Sequence, residues 1–156
     1  MTDTANATLV DKIKPAACAA TKTADTVLFP AMQLLLRVWM ANIFFKAGLT
    51  KLNDWESTLF LFEYEYQVPI LPVELAAFGA TAVELVAPVL LVLGLFTRLA
   101  ALPMLVMAFV IQFTLPEAYQ HDQHYYWMIF LGLLIAKGAG TFSADHFLVK
   151  KFGGHN

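Results

Sequence analysis

Four apolar runs, at about residues 28 to 50, 70 to 96, 99 to 115 and 124 to 139, leave this chain few folds to choose from. A helix needs about 20 consecutive apolar residues to cross the hydrocarbon of a bilayer; the first three runs are near or above that length and the last is slightly short. Within hydrocarbon each backbone N–H and C=O has to be satisfied inside the protein, which a helix does by itself. The 156-residue chain is 59% hydrophobic with a mean hydropathy of +0.63, too apolar for an ordinary soluble domain of its length. The expected fold class is therefore all-α: a membrane-embedded four-helix transmembrane bundle with spans at 27–52, 70–96, 98–115 and 123–139.

Charge then suggests an orientation. A formal net charge of −2 leaves no basic face for nucleic acid. The signs are segregated all the same. Lys12, Lys14 and Lys22 precede the first span, Arg98 stands between spans two and three, and Lys150 and Lys151 are in the tail. The other two loops hold Lys51 among Asp54, Glu56, Glu63 and Glu65, and Glu117 with Asp122. By the positive-inside rule, both termini are expected in the cytoplasm and the acidic loops outside, as in a multi-pass protein of a bacterial inner membrane. Met1 to Ala24 is interrupted by Lys, Asp and Thr and is not expected to be a cleavable signal peptide. A lone cysteine, Cys18, excludes an intrachain disulfide or a CxxC relay.

Three segments lie outside the spans. Residues 1–26 form an N-terminal cytoplasmic or interfacial segment, in which Leu9, Ile13, Ala16 and Ala20 allow a short surface helix, weakened by Pro15. "NDWESTLFLFEYEYQVP" alternates apolar and acidic residues and predicts an outer interfacial helix over 54–67, with Asn53 or Asp54 as its N-cap and Pro69 as its stop. Residues 141–156, with "TFSADHFLVKKF", form an amphipathic tail whose lysines suit anionic headgroups. "HYYW" marks an aromatic belt at the start of span four, and Trp39, Trp55 and Trp127 read first as belt or packing residues.

The polar residues inside the spans are the candidate site. Counted from Val27, Arg37 lies roughly 15 Å deep, near the midplane. Glu84 falls at the same depth when counted from either end of span two. A charge at a helix centre costs about 2.5 to 3.5 kcal/mol on insertion scales, so an Arg37–Glu84 pair is expected. At 100° per residue, Phe44 and Gly48 lie about 20° to either side of Arg37 and Lys51 about 40° off, one stripe, whereas Lys46 is about 180° away and suits the outer headgroups. Pro88, four residues after Glu84, cannot donate to the Glu84 carbonyl, and broken spans of this kind often line ligand sites. At the mouth of span four, His121, Asp122 and His124 are candidate Zn or Cu ligands, or the histidines could hydrogen-bond a quinone oxygen or relay protons. Ala76, Ala77, Gly79 and Ala80 permit close helix approach, either within the bundle or in a homo-oligomer.

Together "LLLRVWMANIFFKAGLTKLNDW", "VPILP", "AVELVAPVLLVLGLFTRLAAL", "HYYW" and "GAGTFSADHFL" resemble the DoxX family of small four-helix bacterial membrane proteins, over about residues 30 to 150. Ala139 stands where the family's "GPG.LS.D" pattern commonly has proline. The resemblance implies a polar core of Arg37, Lys51, Glu84, Arg98, His124 and Asp145. It also implies a role as a subunit of quinone-linked sulfur oxidation, an anchor for redox-protective complexes, or a companion of metal-related peptide maturation. No flavin, haem or iron–sulfur motif is present, so electrons would come from a partner or ligand, and the chain is not expected to be a complete enzyme alone. The leading expectation is a redox accessory in which Arg37 and Glu84 bind a quinone-like headgroup or pass a proton, with a protein partner docked on the acidic loop 53–67. The others are a small-anion or Cu/Zn binding or transport module and a structural membrane anchor.

Overall fold

The computed structural model describes residues 14, 15, 18, 19, 21–68, 71–114 and 122–152. Every described element is a helix. They are α1 (Phe29–Asn53), preceded by a π-helical stretch Ala24–Leu28; α2 (Trp55–Leu61), continued by a π-helical stretch Phe62–Tyr66; α3 (Val73–Leu93); α4 (Thr97–Thr114); α5 (Gln123–Lys137); and α6 (Ala144–Phe152). The segment through Thr21–Asn53, together with Val73–Leu93 and Thr97–Thr114, is long and apolar enough to cross a membrane. The fourth helix of the bundle has 15 residues, about 22 Å of rise against about 30 Å of hydrocarbon, so the short last apolar run has its counterpart in the fold.

The chain divides into a unit ending at Met32 and a second beginning at Gln33. In the first, threonine hydroxyls donate back to the preceding turn: Thr21 to the Cys18 carbonyl, Thr23 to Ala19 and Thr26 to Lys22. Most of the surface helix expected over residues 8–20 lies outside the described residues.

In the second unit the core is small and apolar. Met40, Ala41 and Phe44 of α1 meet Ala87 and Leu91 of α3, Ala100, Ala101, Met104 and Ala108 of α4, and Leu131 and Leu134 of α5. Alanines at these contacts bring backbones close, which is how helices gain packing where lipid offers no hydrophobic drive. Outward, large apolar side chains are left open: Leu35, Phe78, Leu99, Phe109 and Ile129 among them. Such a surface would aggregate in water and is ordinary in acyl chains. The molecule is a membrane-embedded helical bundle.

Three connections set helix register. Asp54 caps α2, its Oδ1 accepting from Ser57 N at 3.0 Å and Oδ2 from the Ser57 hydroxyl at 2.6 Å. Those bonds, the hydroxyl's first, hold its carboxyl below the usual range. Thr58 turns back to donate to the Lys51 carbonyl at 3.1 Å, satisfying the end of α1. Helix covers Trp55–Tyr66, with a π-helical second half from Phe62 and a left-handed Gln67 as its C-cap; the expected stop, Pro69, lies outside the described residues. α2 and its continuation lie on α3, burying Phe62 against Ala76 and Ala77. Between α3 and α4, the chain reverses through Gly94 and Phe96, both at positive φ.

Candidate functional site

Arg37 and Glu84 do not meet. Gly48, not Arg37, is level with Glu84: a Cβ at Gly48 would lie 3.0 Å from the Glu84 Cβ. Arg37 is eleven residues earlier on α1, roughly 16 Å down the axis. Counting depth from the ends of each apolar run overlooked that α2 and its cap, not the run lengths, set the offset between α1 and α3.

Glu84 is instead paired with Lys51, Nζ to Oε1 at 2.8 Å. Helical side chains lean toward their own N-terminus, so Lys51 reaches back over the Gly48 turn onto the acid. Glu84 is buried, and its second oxygen, Oε2, has no hydrogen-bond partner. Thr81 does not mend the Pro88 break, because its hydroxyl is committed to the Ala77 carbonyl at 2.8 Å.

This pair lies on the wall of a cavity of about 430 Å³ between α3, α4 and the turn after α2. Apart from Lys51, Glu84 and the Tyr66 phenol, the lining is aliphatic or aromatic, including Phe62, Val83, Met107 and Ile111. Leu75, Leu102 and Val106 also line it and are more than half exposed on the outer face, so it opens sideways toward lipid. Ala76, Gly79 and Ala80 line it, and Ala76, Ala77 and Ala80 also pack with Phe62. The small-residue stripe thereby serves both bundle contact and cavity. Burial, then the charges of Glu84 and Glu65, pushes the Tyr66 phenol up from its ordinary value.

Arg37 serves a different structure at the other end. Completely buried, it donates from Nη1 to the Leu91 carbonyl at 3.4 Å and from Nη2 to the Phe142 carbonyl. Leu91 is in the last turn of α3, where its carbonyl also accepts the Gly94 N–H at 3.1 Å and the negative end of the helix dipole favours a cation. Asp145 caps the next helix, accepting from Phe96 N at 2.9 Å and Thr97 N at 3.3 Å. Gln33 donates to the Gly138 carbonyl at 3.3 Å, and Arg98 to the Ala136 carbonyl at 3.4 Å. Arg37, Arg98 and Asp145, grouped by resemblance with Lys51 and Glu84, therefore close the α3–α4 and α5–α6 turns far from the cavity.

Phe44 is also off the cavity. It is buried in the core with its ring 5.7 Å from that of Trp127, and Trp127 stands edge-on to His124 at 4.8 Å. Tyr66 was missed in the sequence, though its spacing of four from Phe62 places both on one face of the interfacial segment. Of the expected metal ligands, His121 lies outside the described residues and Asp122 is exposed beside the start of α5. Among the described residues no group of three His, Cys, Asp or Glu side chains converges.

A helical membrane bundle with an ion pair on the wall of a lipid-facing apolar cavity defines the class. The DoxX family model matches residues 32–117, more than half the chain, and the chain belongs to that family. It is also similar to an uncharacterized protein of Haemophilus influenzae, 29% identical over 127 residues that cover 76% of this chain and 83% of the relative. No solved structure matches it significantly.

Proposed function

We propose that this protein is an inner-membrane accessory of a redox system and that its cavity holds the headgroup of a lipophilic quinone. The observation that carries the reading is the buried Lys51–Glu84 pair on an otherwise apolar wall, with Glu84 Oε2 unpartnered. The volume, about 430 Å³, is within the range of small-molecule sites, which combine apolar walls with a few orienting polar groups. A quinone fits that description: a flat apolar ring, two carbonyl acceptors and an isoprenoid tail that arrives through lipid. Lys51 and the Tyr66 phenol can donate to a carbonyl, and the free carboxylate oxygen can accept from a hydroxyl of the reduced form. Proton handling, if coupled to this site, falls to Glu84 with Lys51 and Tyr66, and Arg37 has no part in it.

The small-anion reading loses its anchor, because both terminal nitrogens of Arg37 are committed to carbonyls. An outward-facing α2 supports a docking role for Glu56, Glu63 and Glu65, all exposed, toward a basic partner protein.

The test is titration of the purified full chain with a short-tailed quinone kept in its reduced form, read by quenching of tryptophan fluorescence; Trp55 packs beside the cavity wall. Saturable quenching weakened at least about tenfold by Glu84→Gln or Gly79→Phe supports the proposal. Equal affinity in all three proteins, or no saturable quenching, overturns it.

A further inference from the structure

We infer that Asn42 is the centre of a face through which two copies of this chain pair inside the membrane. It stands thirteen residues after the start of α1 and eleven before its end, about 16 to 20 Å of rise from either. The polar side chains in the middle of α3 are covered: Thr81 and Glu84 are both buried, as is Arg37 on α1 itself. Asn42 is exposed, the one mid-span polar side chain among the described residues to face outward, and it makes no hydrogen bond there.

A carboxamide carries two donors and an acceptor, and acyl chains offer neither. Its depth is too great for the short side chain to reach headgroups. The partner has to come from protein. Asn42 also lines a groove of about 340 Å³ between α1 and α3, whose apolar walls include Val38, Phe45, Pro88, Val89 and Leu93. Ala41 at its floor and the proline ring leave room for another helix to come close.

A second copy is the occupant whose chemistry follows from the residue itself. Across a two-fold axis one amide's NH₂ donates to the other's oxygen and receives the same in return, so one residue satisfies both subunits. The paired α1 helices would each bring Val38 and Phe45 against the other's groove. This surface is on the α1–α3 side, whereas the cavity is walled by α3 and α4, so pairing leaves the cavity's lateral opening free.

The full chain, labelled with donor and acceptor dyes at its single, exposed Cys18, is reconstituted in phosphatidylethanolamine–phosphatidylglycerol vesicles over a range of protein-to-lipid ratios. Wild type shows energy transfer that persists on lipid dilution. Asn42→Leu, a change on a lipid-facing surface that leaves the core intact, shifts the dissociation midpoint at least about tenfold; Asn42→Gln keeps it near wild type. In a Cys18→Ser background, Phe45→Cys forms a disulfide between copies and Leu99→Cys, on α4, does not. Unchanged dissociation of Asn42→Leu, absence of transfer in wild type, or no disulfide at Phe45→Cys beyond that at Leu99→Cys each overturns the inference. None of these outcomes depends on a quinone being bound.

Discussion

Arg37 is held by main-chain oxygens, and this decides what its replacement does. Arg37→Met removes charge-assisted donors from the Leu91 and Phe142 carbonyls, each worth about 1.5 to 3 kcal/mol, while also relieving a buried charge of its desolvation cost. The Phe142 carbonyl loses that donor while the Leu91 carbonyl keeps the Gly94 N–H at 3.1 Å; the lost bonds are the larger effect, and thermal stability falls by about 1 to 3 kcal/mol with quinone affinity unchanged. Glu84→Gln lowers both, since it breaks the ion pair with Lys51 and removes the acceptor from the cavity wall. A melting curve and a titration on each variant separate the two. Tyr66 gives a pH test of the same wall. A phenol whose folded value is raised keeps its proton longer in the native state, so its stabilising contribution is whole below the unfolded value near pH 10 and declines as pH rises through it. Tyr66→Phe should therefore delete a late step from an absorbance titration at 295 nm.

At the scale of elements, the α3–α4 turn is the most demanding feature. Gly94 is at φ 67°, where a side chain costs about 1 to 2 kcal/mol. A Cβ there would also overlap Arg37 Nη1 and lie 2.6 Å from Ser143 Cβ. Gly94→Ala is therefore expected to destabilise by more than about 2 kcal/mol and to loosen α6, since Asp145 N donates to the Gly94 carbonyl at 3.0 Å. Hydrogen exchange at Ala144–Phe152 reads that loosening directly. The spans, by contrast, were legible from their apolar runs. The start of the interfacial helix was legible from "NDW", since Asn53 or Asp54 just before Trp55 is a side chain that can accept the helix's first free N–H.

Over the whole molecule, the distribution of charge makes a prediction about sidedness. Arg98, Lys137, Lys150 and Lys151 are at or beyond the helix ends near Arg37, and Glu56, Glu63 and Glu65 are at the opposite end. If the positive-inside rule orients the bundle, Glu56→Cys in a Cys18→Ser background is labelled by a membrane-impermeant maleimide in intact cells and Lys150→Cys only after permeabilisation. The reverse pattern would place the acidic helix in the cytoplasm and remove the proposed outer docking role.

Hydrophobic run length determined the fold class, because hydrocarbon tolerates few ways of satisfying a backbone, and it did so without any knowledge of contacts. Residue type likewise marked Arg37, Lys51 and Glu84 as unusual, since charge in a span is costly wherever it points. Which of them join was decided by tertiary structure alone. Periodicity places residues around a helix but says nothing about how far one helix slides along its neighbour. Here the Asp54–Ser57 cap, the Thr58 bond to the Lys51 carbonyl and the close approach at Gly48 set that slide, bringing Lys51 to Glu84 and leaving Arg37 to the carbonyls at the other end.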